Sequence, residues 1–325
     1  MEVHFNYWRV ETPGSILPWG EKEKFDFSEI GIMLKEPSTV DSVFIFLPFS
    51  IERKDISDCS NYFSSPNIAQ GIFNQPLACS TNARPARRGV ELRLGDAIFC
   101  RVHIFISEDA EIKSDELGVK EFSDGTLLTI NRAALSEISG HMNGEHPAYF
   151  RLRFVLRVAT PFFQRVDTPD RFFRSGFDEI EYVDFRLNEA RTLPHAVESR
   201  MRDDQNGKVI KIKLVAFLTA VPIVSELAAS SKQFHKLRPL EDELWNEYVP
   251  GGIKKGMVVY HWKRIEDEGI PDFSAFVKLR TRRSGLRVVL VYLSFAFLFG
   301  IIGNLAAAYI IFIAPKILDL LKSSG

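Results

Sequence analysis

The sequence predicts an α+β chain: a predominantly antiparallel β region in the cytosol, read as two related β-rich lobes, followed by one C-terminal transmembrane α-helix. Three observations predict it. Apolar and polar residues alternate with a period of two through much of the first 267 residues, the pattern of strands with one buried face. Phe is over-used, 27 against 8 Tyr and 4 Trp, and its flat ring suits a pleated, half-buried surface. Residues 288–314 contain no charged side chain.

The strands follow from the alternation. Phe150, Leu152, Phe154, Leu156 and Val158 alternate with Arg151, Arg153 and Arg157. Ile210, Ile212, Leu214 and Ala216 alternate with Lys211 and Lys213, and Val183, Phe185 and Leu187 with Asp184 and Arg186. Val102, Ile104 and Ile106 form a fourth such set. Val43 to Phe49 is a continuous apolar run, which predicts a strand buried on both faces. Asp124-Gly125 and Asn206-Gly207 each separate alternating runs and predict hairpins. Helices are fewer. Pro239–Val249 starts with Pro, places Glu241, Asp242 and Glu243 in the first turn, and aligns Leu240, Leu244 and Tyr248. Ser65–Asn74 and Asn131–Ile138 are weaker helical segments.

The uncharged run from Val288 to Ala314 is 27 residues long. At about 1.5 Å per residue it would reach roughly 40 Å, more than the roughly 30 Å hydrocarbon core of a bilayer. Tyr292 and Tyr309 lie towards its ends and Pro315 follows it. Lys278, Arg280, Arg282, Arg283 and Arg287 crowd its N-terminal flank, against Lys316 and Lys322 beyond it. The positive-inside bias therefore keeps the N-terminal region cytoplasmic. Met1–Asn6 has neither a basic nor an apolar leader segment, in agreement with that orientation. The expected location is a bacterial inner membrane, crossed once. Gly300, Asn304 and Ala308 share one helical face, with Gly303 and Ala307 beside them. Small residues let helix backbones approach, and an amide in hydrocarbon seeks a partner, so this face is read as a homo-oligomer contact.

Domain organisation follows a weak internal repeat. Trp8-Arg9-Val10-Glu11-Thr12-Pro13 resembles Leu156-Arg157-Val158-Ala159-Thr160-Pro161, and each is followed in the same order by Phe-Asp and further strands. The expected division is a β-rich lobe over 1–110, a polar insertion over 111–147, a second β-rich lobe over 148–267, a basic juxtamembrane linker over 268–287, the transmembrane helix over 288–314 and a short translocated tail over 315–325.

Composition excludes little beyond the extremes. The formal net charge of −1 gives no global pull towards nucleic acid. Cys59, Cys79 and Cys100 have no metal-type spacing and read as incidental thiols in a reducing compartment. Nucleophile-elbow, zincin, phosphate-loop and dinucleotide motifs are missing, so no cofactor is expected and no catalytic residue is assigned. His141, Glu145 and His146 in a Gly- and Asn-rich loop fall short of a zinc ligand set. Asp167, Asp170, Asp178, Glu179 and Glu181 lack the companion Lys that a metal-dependent nuclease would supply. Arg151, Arg153 and Arg157, with Lys211 and Lys213, are the anion-binding candidates: on neighbouring strands they would make a cationic sheet face suited to phosphate or an anionic headgroup. The plainer expectation is a solvent face whose charges pair with Glu179, Glu181 and Asp184. Arg84, Arg87 and Arg88 form a second, weaker set.

The expected function is a membrane-anchored cytosolic sensor or effector. Its partners would be the bilayer, further copies of itself, and a protein or an anionic small ligand. A structural subunit of a membrane complex and a tethered hydrolase or nuclease are the alternatives.

Overall fold

The computed structural model describes residues 1–10, 26–81, 88–139, 146–156, 163–166, 178–189, 193–195, 197–199, 210–250, 252–253, 256–282 and 286–323. Its strands, in chain order, begin with β1 (Glu2–Trp8), β2 (Asp26–Leu34), β3 (Val43–Leu47), β4 (Ile56–Asp58) and β5 (Ala78–Thr81). There follow β6 (Gly89–Leu94), β7 (Ala97–His103), the short β8 (Ser107–Glu108) and β9 (Glu111–Ile112), β10 (Leu117–Phe122), β11 (Gly125–Ile130) and β12 (Ala148–Leu156). The remainder are β13 (Phe163–Val166), β14 (Asp178–Leu187), β15 (Leu214–Pro222), β16 (Ser225–Ser230), β17 (Lys236–Pro239), β18 (Met257–Ile265) and β19 (Phe273–Arg282). Helices cover Pro66–Phe73, Arg132–Ser139, Asp242–Trp245 and, at the C-terminus, Leu286–Ser323. The fold is therefore β-rich, with mostly antiparallel pairing and one apolar C-terminal helix.

The main sheet is ordered β17-β18-β15-β1-β2-β12-β7-β6-β5, with β4 also pairing β12. Two of its pairings are parallel, β1 with β15 and β7 with β12. Strands from the early and late parts of the sequence thus lie side by side. One face of this sheet packs against two smaller sheets. Phe5, Phe217 and Trp262 meet Phe185 of β14 and Phe273, Ala275 and Val277 of β19, in the sheet ordered β13-β14-β19-β16. Ring stacking runs through this core, with Phe5–Phe185 centroids 4.3 Å apart and Phe185–Phe217 centroids 5.1 Å apart. Farther along the same face, Ile32, Phe150 and Phe154 pack with Leu47, Leu128, Ile130 and Leu135, supplied by the sheet β10-β11-β3 and the helix Arg132–Ser139. The opposite face is also covered, by the helix Pro66–Phe73, the 3-10 turn Ser60–Ser64 and the side chains of Leu240, Trp245, Tyr248, Val249 and Ile253.

By internal contacts the chain forms two units, one comprising Met1–Val166 and Glu181–Leu279, the other Asp167–Ile180 and Arg280–Gly325. The second contains the C-terminal helix, which is apolar and long enough to cross a membrane over Tyr292–Pro315, with none of that window buried.

Several expected elements shift. The Asp124-Gly125 hairpin forms between β10 and β11, whereas Asn206-Gly207 lies outside the described residues. The apolar run at Val43 is not a doubly buried strand: β3 lies at the edge of its sheet and leaves Phe44 39% exposed. The strand expected from Ile210 begins only at Leu214; ahead of it, the Lys211, Ile212 and Lys213 carbonyls accept from the Met1 amine and the Ile270 and Glu266 amides, and the Lys213 amide donates to the Met1 carbonyl. Of the helix expected over Pro239–Val249, only Asp242–Trp245 is helical; a tight succession of turns carries Tyr248 into the core.

Candidate functional site

The densest arrangement of chemically versatile side chains among the described residues lies on the covered second face of the main sheet. Alternation along β1, β2 and β12 sends one side-chain set to each face. Register then aligns Asn6, Glu29 and Arg153 in one row and His4, Gly31 and Arg151 in the next. The polar residues of these strands therefore meet each other, and the covering segments shut them away from water. Glu29, Arg151 and Arg153 are each at most 4% exposed.

Glu29 is the hub. Its Oε2 accepts from Arg151 Nη2 at 2.6 Å, from the Tyr248 hydroxyl at 2.9 Å and from Trp8 Nε1 at 3.2 Å. Its Oε1 accepts from Arg153 Nε at 2.8 Å and lies 3.8 Å from the Cys59 thiol. Arg151 also donates to the hydroxyls of Tyr248 and Tyr149, at 2.7 and 2.9 Å. Arg153 donates to the Tyr248 carbonyl at 2.8 Å, and its guanidinium lies 4.4 Å over Phe27 and 4.9 Å over the Tyr248 ring. With its amide turned to accept, Asn6 adds a further 2.5 Å bond from Arg151 Nη2. Gly31 fits here because a Cβ would collide with the Tyr149 hydroxyl.

Charge sets the protonation states. Burial alone would raise the Glu29 carboxyl, but the two guanidiniums overcome it and hold the group ionised below the ordinary range. Burial raises the phenols of Tyr149, to about 12, and Tyr248, so both stay neutral donors. Burial likewise raises the Cys59 thiol, with Glu29 adding to the effect, so it is no nucleophile at neutral pH. His4, 3.3 Å from the Tyr149 hydroxyl, is lowered to about 3 by burial and then by the Arg151 charge, and is neutral. Two guanidiniums share one carboxylate in a dry interior. Such a cluster fixes geometry, joining β1, β2 and β12 to the Tyr248 segment.

These facts correct the expected exposed cationic face. Arg151 and Arg153 are buried donors with intrachain partners, and their carboxylate is Glu29 rather than Glu179, Glu181 or Asp184. Lys211 and Lys213 are exposed, precede β15, and are separated from β12 by β1 and β2. The basic residues therefore do not converge. Arg157 lies outside the described residues, as do Arg84, Arg87, His141, Glu145, Asp167 and Asp170. Arg88 binds Glu116 at 2.8 Å. Glu116 also accepts from Ile106 N and approaches His103 Nε2 at 3.5 Å. Burial would raise this carboxyl, yet His103, Arg88 and the Ile106 amide lower it to about 2. Glu181 forms a buried pair with Arg9 at 3.0 Å. Among the described residues no group of three or more His, Cys, Asp or Glu side chains is placed to hold a metal ion.

Glu29 itself was absent from the sequence candidates. Its signal is a single acidic residue inside the apolar strand sequence DFSEIGIML.

At the C-terminal helix, Gly300 and Gly303 have open space where a Cβ would stand, and Asn304, Ala307 and Ala308 are exposed. The Ser294 hydroxyl donates to the Leu290 carbonyl; Asn304 has no side-chain partner within the described residues. Of the basic flank, Lys278 rests 5.6 Å over the Tyr182 ring and Arg280 is exposed. Arg282 ends β19, Arg287 lies in the first turn of the helix, and Arg283 is outside the described residues. No family model and no curated protein matches this chain.

Proposed function

We propose that this protein is a membrane-anchored sensor or effector. Its β-rich unit binds a ligand or protein partner in the cytoplasm, and its single helix assembles copies of the chain in the bilayer. A signalling or defence role at a bacterial inner membrane suits that layout. The five basic residues from Lys278 to Arg287, against Lys316 and Lys322 on the far side, favour a cytoplasmic N-terminal region.

The observation that carries the proposal is the position of Asn304 along the apolar helix. The apolar span is 24 residues, Tyr292–Pro315, so its midpoint falls between Gly303 and Asn304. In a bilayer crossed by this helix, that primary amide would meet hydrocarbon, which offers no hydrogen bond. Gly300 and Ala308, four residues to either side, flank it with the smallest side chains. Helix backbones can then approach closely enough for the amide to bond across a helix pair, a contact worth about 0.6–2 kcal/mol.

Crosslinking the full-length protein in native membranes tests this. The unsubstituted chain should crosslink as a dimer or larger species, and Asn304→Leu should lower that yield several-fold. A monomeric chain, or an oligomer indifferent to Asn304→Leu, would remove the basis for assembly through the helix.

A further inference from the structure

The β15–β16 turn carries two large apolar residues at its tip, Ile223 and Val224, 59% and 47% exposed. Two-residue connections favour Gly, Asn, Asp or Pro, which supply turn geometry or bond the local backbone. Ile and Val do neither, and each leaves apolar surface in contact with water. Neither residue has a positive φ. The tip is nevertheless firmly held: the Ile223 amide donates to the Gly256 carbonyl at 2.6 Å. Turn geometry does not account for this pair of residues.

Their position in the fold does. Beyond the end of β16, the Ser231 amide donates to the Phe276 carbonyl at 2.9 Å, and the Phe276 amide donates to the Ser231 hydroxyl at 2.9 Å. Lys232 lies 4.5 Å over the Phe273 ring. With Ser231 and Lys232 beside the start of β19, β16 runs antiparallel to β19, and Ser225 lies towards the Leu279 end. A separate set of contacts agrees. Arg9 reaches both Glu181, at 3.0 Å, and the Ser225 hydroxyl, at 3.4 Å. The residue after Glu181, Tyr182, stacks on Phe276 and carries Lys278 over its ring. The apolar turn is thus at the end of the sandwich where the chain leaves for the C-terminal helix. Only six residues separate Leu279 from Leu286, and these seven Cα-to-Cα steps reach at most about 25 Å even when fully extended.

The geometry points to the Ile223–Val224 turn as a second membrane contact, seated in the headgroup–acyl boundary of the bilayer that the C-terminal helix crosses. The occupant of this surface is lipid: the tip is apolar, the anchor begins a few residues from the same end, and Arg280, Arg282 and Arg283 lie in the connecting sequence with Lys278 and Arg287 on either side of it, where anionic headgroups would meet them. This inference rests on the helix being a membrane span.

The test uses the full chain in mixed phosphatidylcholine–phosphatidylglycerol vesicles. Cys79→Ser removes the half-exposed thiol, leaving Cys59 and Cys100 buried and unreactive. Val224→Cys then takes an environment-sensitive fluorophore, and Ile265→Cys serves as the control. Ile265 is 60% exposed and pairs with Leu214, at the far end of β15 from Pro222. Emission from position 224 should shift to the blue and be largely lost when nitroxide-bearing lipid is included, while position 265 keeps its aqueous spectrum. If position 224 is as aqueous as 265 in protein that resists alkaline extraction, the hairpin contact is overturned and the anchor stands. If alkali strips the protein from the vesicles, both are overturned.

Discussion

Replacing Glu29 with Gln would leave the Arg151 and Arg153 guanidiniums facing a neutral amide in an interior from which water is excluded. Breaking a buried ion pair from one side typically costs about 3–5 kcal/mol, because the remaining charge stays desolvated. Thermal or chemical unfolding of detergent-solubilised Glu29→Gln should show a loss of that order, and adding Arg153→Met should recover part of it. A variant as stable as the parent would mean that the cluster is not what joins β2 and β12 to the Tyr248 segment. Acid should act on neighbouring groups. His4 is held at about 3 in the fold, against 6.5 in the unfolded chain, so between those values the unfolded state binds more protons. Stability then rises with pH across that window and falls on acidification. Glu116, lowered to about 2 from 4.5, acts in the same direction at lower pH. His4 faces Tyr149 and Arg151, with His261 and Lys263 contributing like charge. His4→Gln should flatten the stability profile between pH 3 and 6.5, read by unfolding midpoints across a pH series; an unchanged slope would contradict the assignment. At this scale the sequence was only half legible. Alternation correctly placed Arg151 and Arg153 on one face of a strand, but a period of two cannot say whether that face meets water. The carboxylate that neutralises them comes from Glu29, 122 residues away from Arg151, and no local pattern announces a pairing of that separation.

Local turn chemistry made some elements easy to anticipate. Asp124-Gly125 connects β10 to β11 because Gly125 adopts φ +153, a conformation L side chains rarely take. The position is also sterically closed, since a Cβ would collide with the Leu47 carbonyl of the adjoining strand. Gly125→Ala should therefore cost about 1–3 kcal/mol in backbone strain, and more if β3 is displaced. Differential scanning calorimetry would read it as a lowered midpoint, and a neutral substitution would show that the turn relaxes freely. The short helices Pro66–Phe73 and Arg132–Ser139 coincide closely with the segments read from sequence. Pro239–Val249 does not, although its charges suit a helix. Burying Trp245 and Tyr248 against Trp8 outweighs about two turns of helical hydrogen bonding there. The Val43 run departs from its expected burial for a related reason: continuous hydrophobicity reports burial without saying which neighbour provides it, and β3 lies at a sheet edge.

The molecule as a whole is held together by contacts between sequence-distant strands. β1 pairs in parallel with β15, Glu2 opposite Leu214, so the centre of the main sheet forms only after most of the chain is available. That topology is invisible to a reading made one segment at a time. The C-terminal helix is the opposite case: length and lack of charge specify it, with no dependence on partners. Membrane attachment through that helix is the physical premise for assembly at Asn304 and for the lipid contact at Ile223 and Val224. Alkaline carbonate extraction of membranes carrying the full chain, beside a chain ending at Arg287, tests it most directly. The full chain should remain in the pellet and the shortened chain should be released to the supernatant. Release of the full chain by carbonate, or retention of the shortened one, would contradict a helix that spans the bilayer.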